Sequence, residues 1–229
     1  MSRKSCRCRP RWIMPPPSTI SGMQIGETKK RRAIRALGTL LLIADLMFVL
    51  VCGAAQLRTD LDPLVTPLSA YLTGPGGEYV RAAYYLMALG LLGLAWASYF
   101  ATSAAQRSAL AAILFATAGI ALAPVAITAL FAHTPNEEAA RFLHHIAALI
   151  TFMCLCFGMP LLSMRWRRDP RLRGGSAGVV LAWAAFVWLW VYVIYHGLPS
   201  GTMQKVLIVL ILAWLGWTAR QLLRASRSP

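Results

Sequence analysis

Residues 108–132, SALAAILFATAGIALAPVAITALFA, decide the fold: all twenty-five lack a charged side chain. A helix rises about 1.5 Å per residue and bilayer hydrocarbon is about 30 Å thick, so about 20 apolar residues make a span. Working outward, residues 82–105 are equally free of charge, and residues 142–164 hold only the pair His144 and His145. Residues 36–57 contain one charge, Asp45, and residues 174–199 contain only His196, close to their end. The last apolar run, residues 206–219, is 14 residues long. It reaches spanning length if its helix extends over 202–223, with the Lys205 ammonium reaching outward along its aliphatic stem.

A soluble helical core is the rival reading, and composition rejects it. Hydrophobic residues make up 58% of the chain and charged residues 14%, against about 25% charged in ordinary soluble domains. Helices apolar all round cannot be kept in water by so little polar surface. The chain therefore reads as an all-α, polytopic membrane protein: a six-transmembrane-helix bundle over residues 33–224, with spans at about 36–57, 82–105, 108–132, 142–164, 174–199 and 202–223. Residues 1–32 read as a disordered basic tail, with Met1 or Met23 as the start. The first 28 residues lack an apolar stretch, which argues against a cleavable signal peptide. So little sequence lies outside the bundle that no separate catalytic domain is expected.

Orientation follows from the linkers. The N-terminal tail, the turn at Arg107, the linker 165–173 and the C-terminal tail hold 19 of the 23 Lys and Arg residues. Only Arg58, Arg81, Arg141 and Lys205 lie on the opposite side, together with Asp60, Asp62, Glu78, Glu137 and Glu138. The positive-inside bias then places both termini in the cytoplasm, and that requires an even number of spans. The net charge of +15 gathers where anionic lipid headgroups lie, so those headgroups, and not nucleic acid, are the expected partner. No aromatic platform or recognition motif accompanies the basic residues.

The other features are mostly structural. Cys6 and Cys8 lie in the tail and Cys52, Cys154 and Cys156 in spans, so no disulfide framework is expected. The Cys154 and Cys156 thiols point to different faces of one helix and read as packing. Ala97, Ala101 and Ala105, and likewise Ala112 and Ala116, form small-residue stripes suited to close helix approach. Trp183, Trp188, Trp190, Tyr192 and Tyr195 suggest that the fifth span faces lipid.

Under this topology all four histidines reach the outer face. His133 ends span three, His144 and His145 open span four, and His196 closes span five. Asp60, Asp62 and Ser69 in the first outer loop complete a candidate polar site. Imidazoles at one depth can ligate zinc, with His133, His144 and His196 as candidates, or carry protons; they also occur simply as interfacial polar groups. His144 and His145 diverge by about 100° on a helix, and no HExxH spacing is present. Asp45 lies about 14 Å into the first span by helical rise. A carboxylate there costs about 2.5–3.5 kcal/mol on insertion scales, so it is expected to be protonated or paired, as a proton-coupling group or as a polar clamp. The first outer loop, residues 58–81, is broken by prolines and glycines yet carries Leu64, Leu68, Tyr71 and Leu72. It is expected to fold back over the bundle mouth.

Asp62-Pro63, Pro67-Leu68-Ser69-Ala70-Tyr71 and Gly74 resemble the first outer loop of domain-of-unknown-function family 998, a set of bacterial and archaeal six-helix membrane proteins. Leu143-His144-His145-Ile146-Ala147-Ala148 is similar to that family's histidine-bearing start of helix four, with His144 in the matching position. The resemblance covers residues 37–223. After helix three the family often shows a Phe-Pro-Thr-Asp-like turn, whereas this chain reads Phe131-Ala132-His133-Thr134-Pro135-Asn136, so no acid is carried over there. The resemblance implies a six-helix fold in the bacterial inner membrane and implies no activity. Three functions remain open from the residues: a permease or sensor for a small solute or lipid, a zinc-dependent intramembrane lipid hydrolase, or a structural or assembly partner, for which no sequence feature speaks either way.

Overall fold

The computed structural model describes residues 17–172, 175–195, 197 and 199–227, with side chains described from residue 26 onward. Six long helices carry the fold: α1 (Pro17–Leu57), α2 (Gly77–Ala101), α3 (Ala109–Ile127), α4 (Glu137–Arg168), α5 (Ser176–Ile194) and α6 (Ser200–Ala225). Short 3-10 turns occupy Leu68–Leu72 and Thr128–Phe131, and no strand occurs among the described residues. All six helices are long and apolar enough to cross a membrane. The sixth, in doubt from its 14-residue apolar run, is a helix of 26 residues.

Each helix packs on its neighbour in sequence, and α6 returns to pack on α1, closing a ring. α2 is the most enclosed member and α5 the least. Trp183 and Trp190 of α5 and Tyr195 just after it are exposed, as expected for rings turned toward lipid. Trp188 departs from that pattern: its indole Nε1 donates to the Met203 carbonyl at 2.9 Å, fastening α5 to α6. The small-residue stripes are also shifted. α2 ends at Ala101, so Ala105 lies beyond it. On α3, Ala111, Phe115 and Ala118 are fully buried, as is Ala126; the first three are out of step with Ala112 and Ala116. Cys52, Cys154 and Cys156 are free thiols, and the buried Cys156 lies against the Ala185 carbonyl at 3.9 Å.

The end of the bundle that gathers the basic linkers is held by a buried polar clamp. Asp169, 1% exposed, accepts the backbone N–H of Ser103 at 2.7 Å through Oδ2. Its Oδ1 accepts the N–H of Arg171 at 2.9 Å. Trp166 Nε1 donates to Thr102 Oγ1 at 2.9 Å, and Trp214 Nε1 to Ser163 Oγ at 2.8 Å. Both indole N–H groups are thereby satisfied in an apolar setting, where an orphan would cost about 1–3 kcal/mol. The α2–α3 turn, the α4–α5 linker and α6 are fixed relative to one another by side chains that a hydropathy reading passes over.

Candidate functional site

At the opposite, acidic end, the loop between α1 and α2 closes over the ring. Asp62 Oδ1 accepts the N–H of Leu64 at 2.8 Å, and the Asp62 carbonyl accepts the N–H of Thr66 at 2.9 Å, forming a compact turn. The Leu64 carbonyl then receives both the backbone N–H of Thr202, at 2.9 Å, and its hydroxyl, at 2.8 Å. In this way the loop satisfies an N–H in the first turn of α6 that has no intrahelical acceptor. Gly201 makes this possible: a Cβ there would lie 2.6 Å from the Val65 and Thr66 carbonyl oxygens. Leu68, Tyr71 and Leu72 are buried beneath the loop. Lys205 reaches from α6 to this outer loop, as its position suggested. Its ammonium donates to the Pro63 carbonyl and stands 5.7 Å from the Tyr71 ring centroid.

Under this cap lies a cavity of about 70 Å³ at the centre of the ring. Two parallel-running helices give it walls of the same spacing. α4 contributes His144, Ala148, Thr151 and Leu155, and α6 contributes Gln204, Ile208, Ile211 and Leu215. These positions share one helical face on each element. Phe152 of α4, Leu212 of α6, Phe48 of α1, Tyr84, Met87 and Leu91 of α2, and Leu122 and Val125 of α3 complete the walls. Besides the Tyr84 phenol, the polar side chains of the wall are Ser69, His144 and Gln204 toward the capped end and Thr151, whose hydroxyl is spent on the Ala147 carbonyl at 2.8 Å.

A second, wider space of about 390 Å³ lies toward the surface, between the Leu68–Leu72 turn and the start of α4. It shares Ser69 and His144 with the inner cavity and adds Thr128, Glu137 and Arg141. Ser69 and His144 thus stand at the boundary between a vestibule that holds Glu137 and Arg141 and the apolar interior. Glu137 and Arg141 form an ion pair at 2.7 Å.

The geometry fixes what His144 can offer. Its Nδ1 lies 3.1 Å from the Val125 carbonyl and 3.2 Å from Thr128 Oγ1, and Thr128 itself donates to Val125 at 3.1 Å. A nitrogen facing a carbonyl must carry the proton, so in the neutral ring Nε2 is an acceptor. Gln204 Oε1 accepts the backbone N–H of Leu68 at 2.9 Å, which leaves its amide N–H groups as donors. The site offers an imidazole acceptor, an amide donor and the Ser69 hydroxyl above an apolar pocket.

The sequence-derived candidates therefore separate. His144 and Ser69 belong to this site. His133 is exposed at the turn before α4 with φ of 62°, and its N–H donates to Glu137 Oε2 at 2.9 Å, which reads as turn chemistry. Histidine is among the residue types that enter this left-handed region more readily than most. His145 is exposed on α4, its ring edge-to-face with that of His144 at 5.9 Å. Asp62 shapes the loop and Asp60 is exposed. His196 lies outside the described residues. No group of three His, Cys, Asp or Glu side chains among the described residues is arranged to hold a metal ion. Asp45 is 8% exposed and faces α6, where a Cβ on Gly216 would lie 3.0 Å from Oδ2, while Oδ1 has no hydrogen-bond partner. It lies one helical turn from Phe48, beyond the cavity wall, and is not part of the outer group. Thr128, Gln204 and Arg141 were missed. The first two do not titrate and so escape a search for charge, while the i,i+4 spacing of Glu137 and Arg141 was readable.

A family model described as "Protein of unknown function (DUF998)" matches residues 31–221. The chain belongs to this family. The match reaches into all six spans and includes Ser69, His144 and Gln204. No curated protein and no solved structure matches the chain.

Proposed function

We propose that this DUF998 protein binds a small amphipathic molecule within the membrane, as a permease or sensor, with its acidic end outside the cell and both termini in the cytoplasm. The observation that supports this reading is the capped cavity, where Ser69, His144 and Gln204 sit together at one end of a largely apolar chamber. Ligand sites have this composition: predominantly apolar walls with a few placed polar groups that set orientation. A hydroxyl or amine head on the ligand donates to His144 Nε2, a carbonyl accepts from the Gln204 amide, and the tail enters between α4 and α6.

Size limits the bound state. An engineered cavity of about 150 Å³ holds benzene, so the inner chamber of about 70 Å³ takes only the end of an apolar chain. The head and the rest of the ligand occupy the vestibule. Passage of a whole lipid requires the loop cap or the helix walls to move, which makes the described conformation a closed one. A zinc hydrolase would need a donor set completed by His196, and nothing in the site's geometry favours it.

The test is photolabelling with a diazirine-bearing long-chain alcohol, followed by peptide mapping. The proposal expects adducts on the cavity faces of α4 and α6, reduced by Ala148→Phe, which fills the chamber, and by His144→Ala, which removes the acceptor. Labelling spread over the lipid-facing residues and indifferent to both substitutions overturns it.

A further inference from the structure

We infer that the basic end of the bundle carries a specific site for the phosphate-bearing headgroup of an anionic phospholipid. A cavity of about 760 Å³ lies between the start of α1, the end of α6, the α4–α5 linker and the end of α2. Lys30 and Arg31 of α1, Arg171 of the linker and Arg224 of α6 line it, opposed by one acid, Glu27. Four cations face that one carboxylate, so the space is strongly electropositive. Ile34, Phe100, Ala101, Leu172 and Ala225 supply an apolar part, as a molecule needs whose charged head continues into acyl chains.

A second observation distinguishes this from a charged face. Gln221 of α6 also lines the cavity and is 93% buried by its 7% exposure. Its side-chain amide makes no hydrogen bond to another described residue and is open to the cavity rather than sealed in the protein, which leaves its N–H groups available to a ligand. An amide N–H directed into a basic cavity is what a phosphate oxygen completes. Basic pockets among spanning helices at a cytoplasmic face are suited to anionic headgroups. The headgroup would join α1, α6 and the linker, which together line the cavity. This inference concerns a different site from the proposed ligand cavity and does not depend on it.

The experiment measures thermal unfolding of the full chain in neutral detergent while phosphatidylglycerol, phosphatidylcholine or glycerol 3-phosphate is titrated. Saturable stabilisation by phosphatidylglycerol alone is expected. The pair Lys30→Gln and Arg171→Gln removes two charge-assisted contacts and should weaken the apparent affinity on the order of 100-fold. The pair Lys29→Gln and Arg32→Gln removes the same charge from exposed positions of α1 outside the cavity, and should change it by about threefold or less. Gln221→Leu, which keeps the side-chain volume and deletes the amide, should weaken it about tenfold. Equal losses from the two charge pairs would reduce the effect to diffuse attraction and overturn the site. Equal stabilisation by glycerol 3-phosphate would overturn the lipid assignment in favour of a soluble phosphate, and equal stabilisation by phosphatidylcholine would overturn the need for negative charge.

Discussion

Gln204 on α6 accepts the backbone N–H of Leu68 across 2.9 Å, and so one side chain both lines the cavity and holds down the loop that covers it. Gln204→Leu leaves a half-buried N–H without a partner, at a cost of about 1–3 kcal/mol. The loss falls on the loop, because α6 keeps its apolar packing. A cysteine placed at Ser69 should then react with a thiol reagent about tenfold faster or more than in the Gln204 background, with little change in the unfolding midpoint. An unchanged rate would mean that the loop is held by its other contacts.

Gly201→Ala tests the same seat from below. The added Cβ would lie 2.6 Å from two carbonyl oxygens of the loop, so the loop must lift or α6 must shift. Proteolysis within residues 58–66 should become faster, since opening free energy sets access to cleavage. Resistance equal to that of the unaltered protein would contradict the close approach.

Asp45 and Gly216 make a paired prediction. Gly216→Ala presses a methyl group toward Asp45 Oδ2, now 3.0 Å from that position, and should destabilise the bundle by about 1–3 kcal/mol. Combining it with Asp45→Ala removes the collision, so the double variant should show a coupling of about 1 kcal/mol or more in reversible unfolding. Strict additivity would mean that the two residues do not touch.

His144 supplies a test that separates binding from metal chemistry. Its Nδ1 is engaged by Val125 and Thr128, and His133 serves a turn. Purified protein should carry zinc well below one ion per chain, and His144→Ala should lower ligand photolabelling while leaving metal content unchanged. One zinc per chain, lost in His144→Ala, would revive the hydrolase.

The spans were legible because the bilayer imposes a length and a composition on any helix that crosses it. The return of the 58–81 loop was legible from Leu68, Tyr71 and Leu72, apolar residues that a solvent-exposed loop would not bury. His144 and Ser69 could be named in advance, and the α4 face 144, 148, 151, 155 repeats in α6 as 204, 208, 211, 215, a register visible in the sequence once the two helices are known to adjoin. That adjacency was not visible, since helices apolar on all sides give no sign of which face meets which neighbour. Thr128 and Gln204 were missed for a related reason: they are neutral, and their importance comes from one hydrogen bond each to a partner distant in the chain. Asp169 lies in the basic linker, and nothing in its position there announced the buried clamp that its carboxylate closes with Ser103.

Orientation and cap meet in one residue, Ser69, so one experiment tests the account most directly. In a variant lacking the five native cysteines, Ser69→Cys is treated in intact cells with a membrane-impermeant maleimide, and Arg227→Cys serves as the opposite-face reference. The account predicts slow labelling of Ser69→Cys from outside, slowed further by a long-chain alcohol, and labelling of Arg227→Cys only after the membrane is opened. Labelling of Arg227→Cys in intact cells, with Ser69→Cys reached only after permeabilisation, would contradict it.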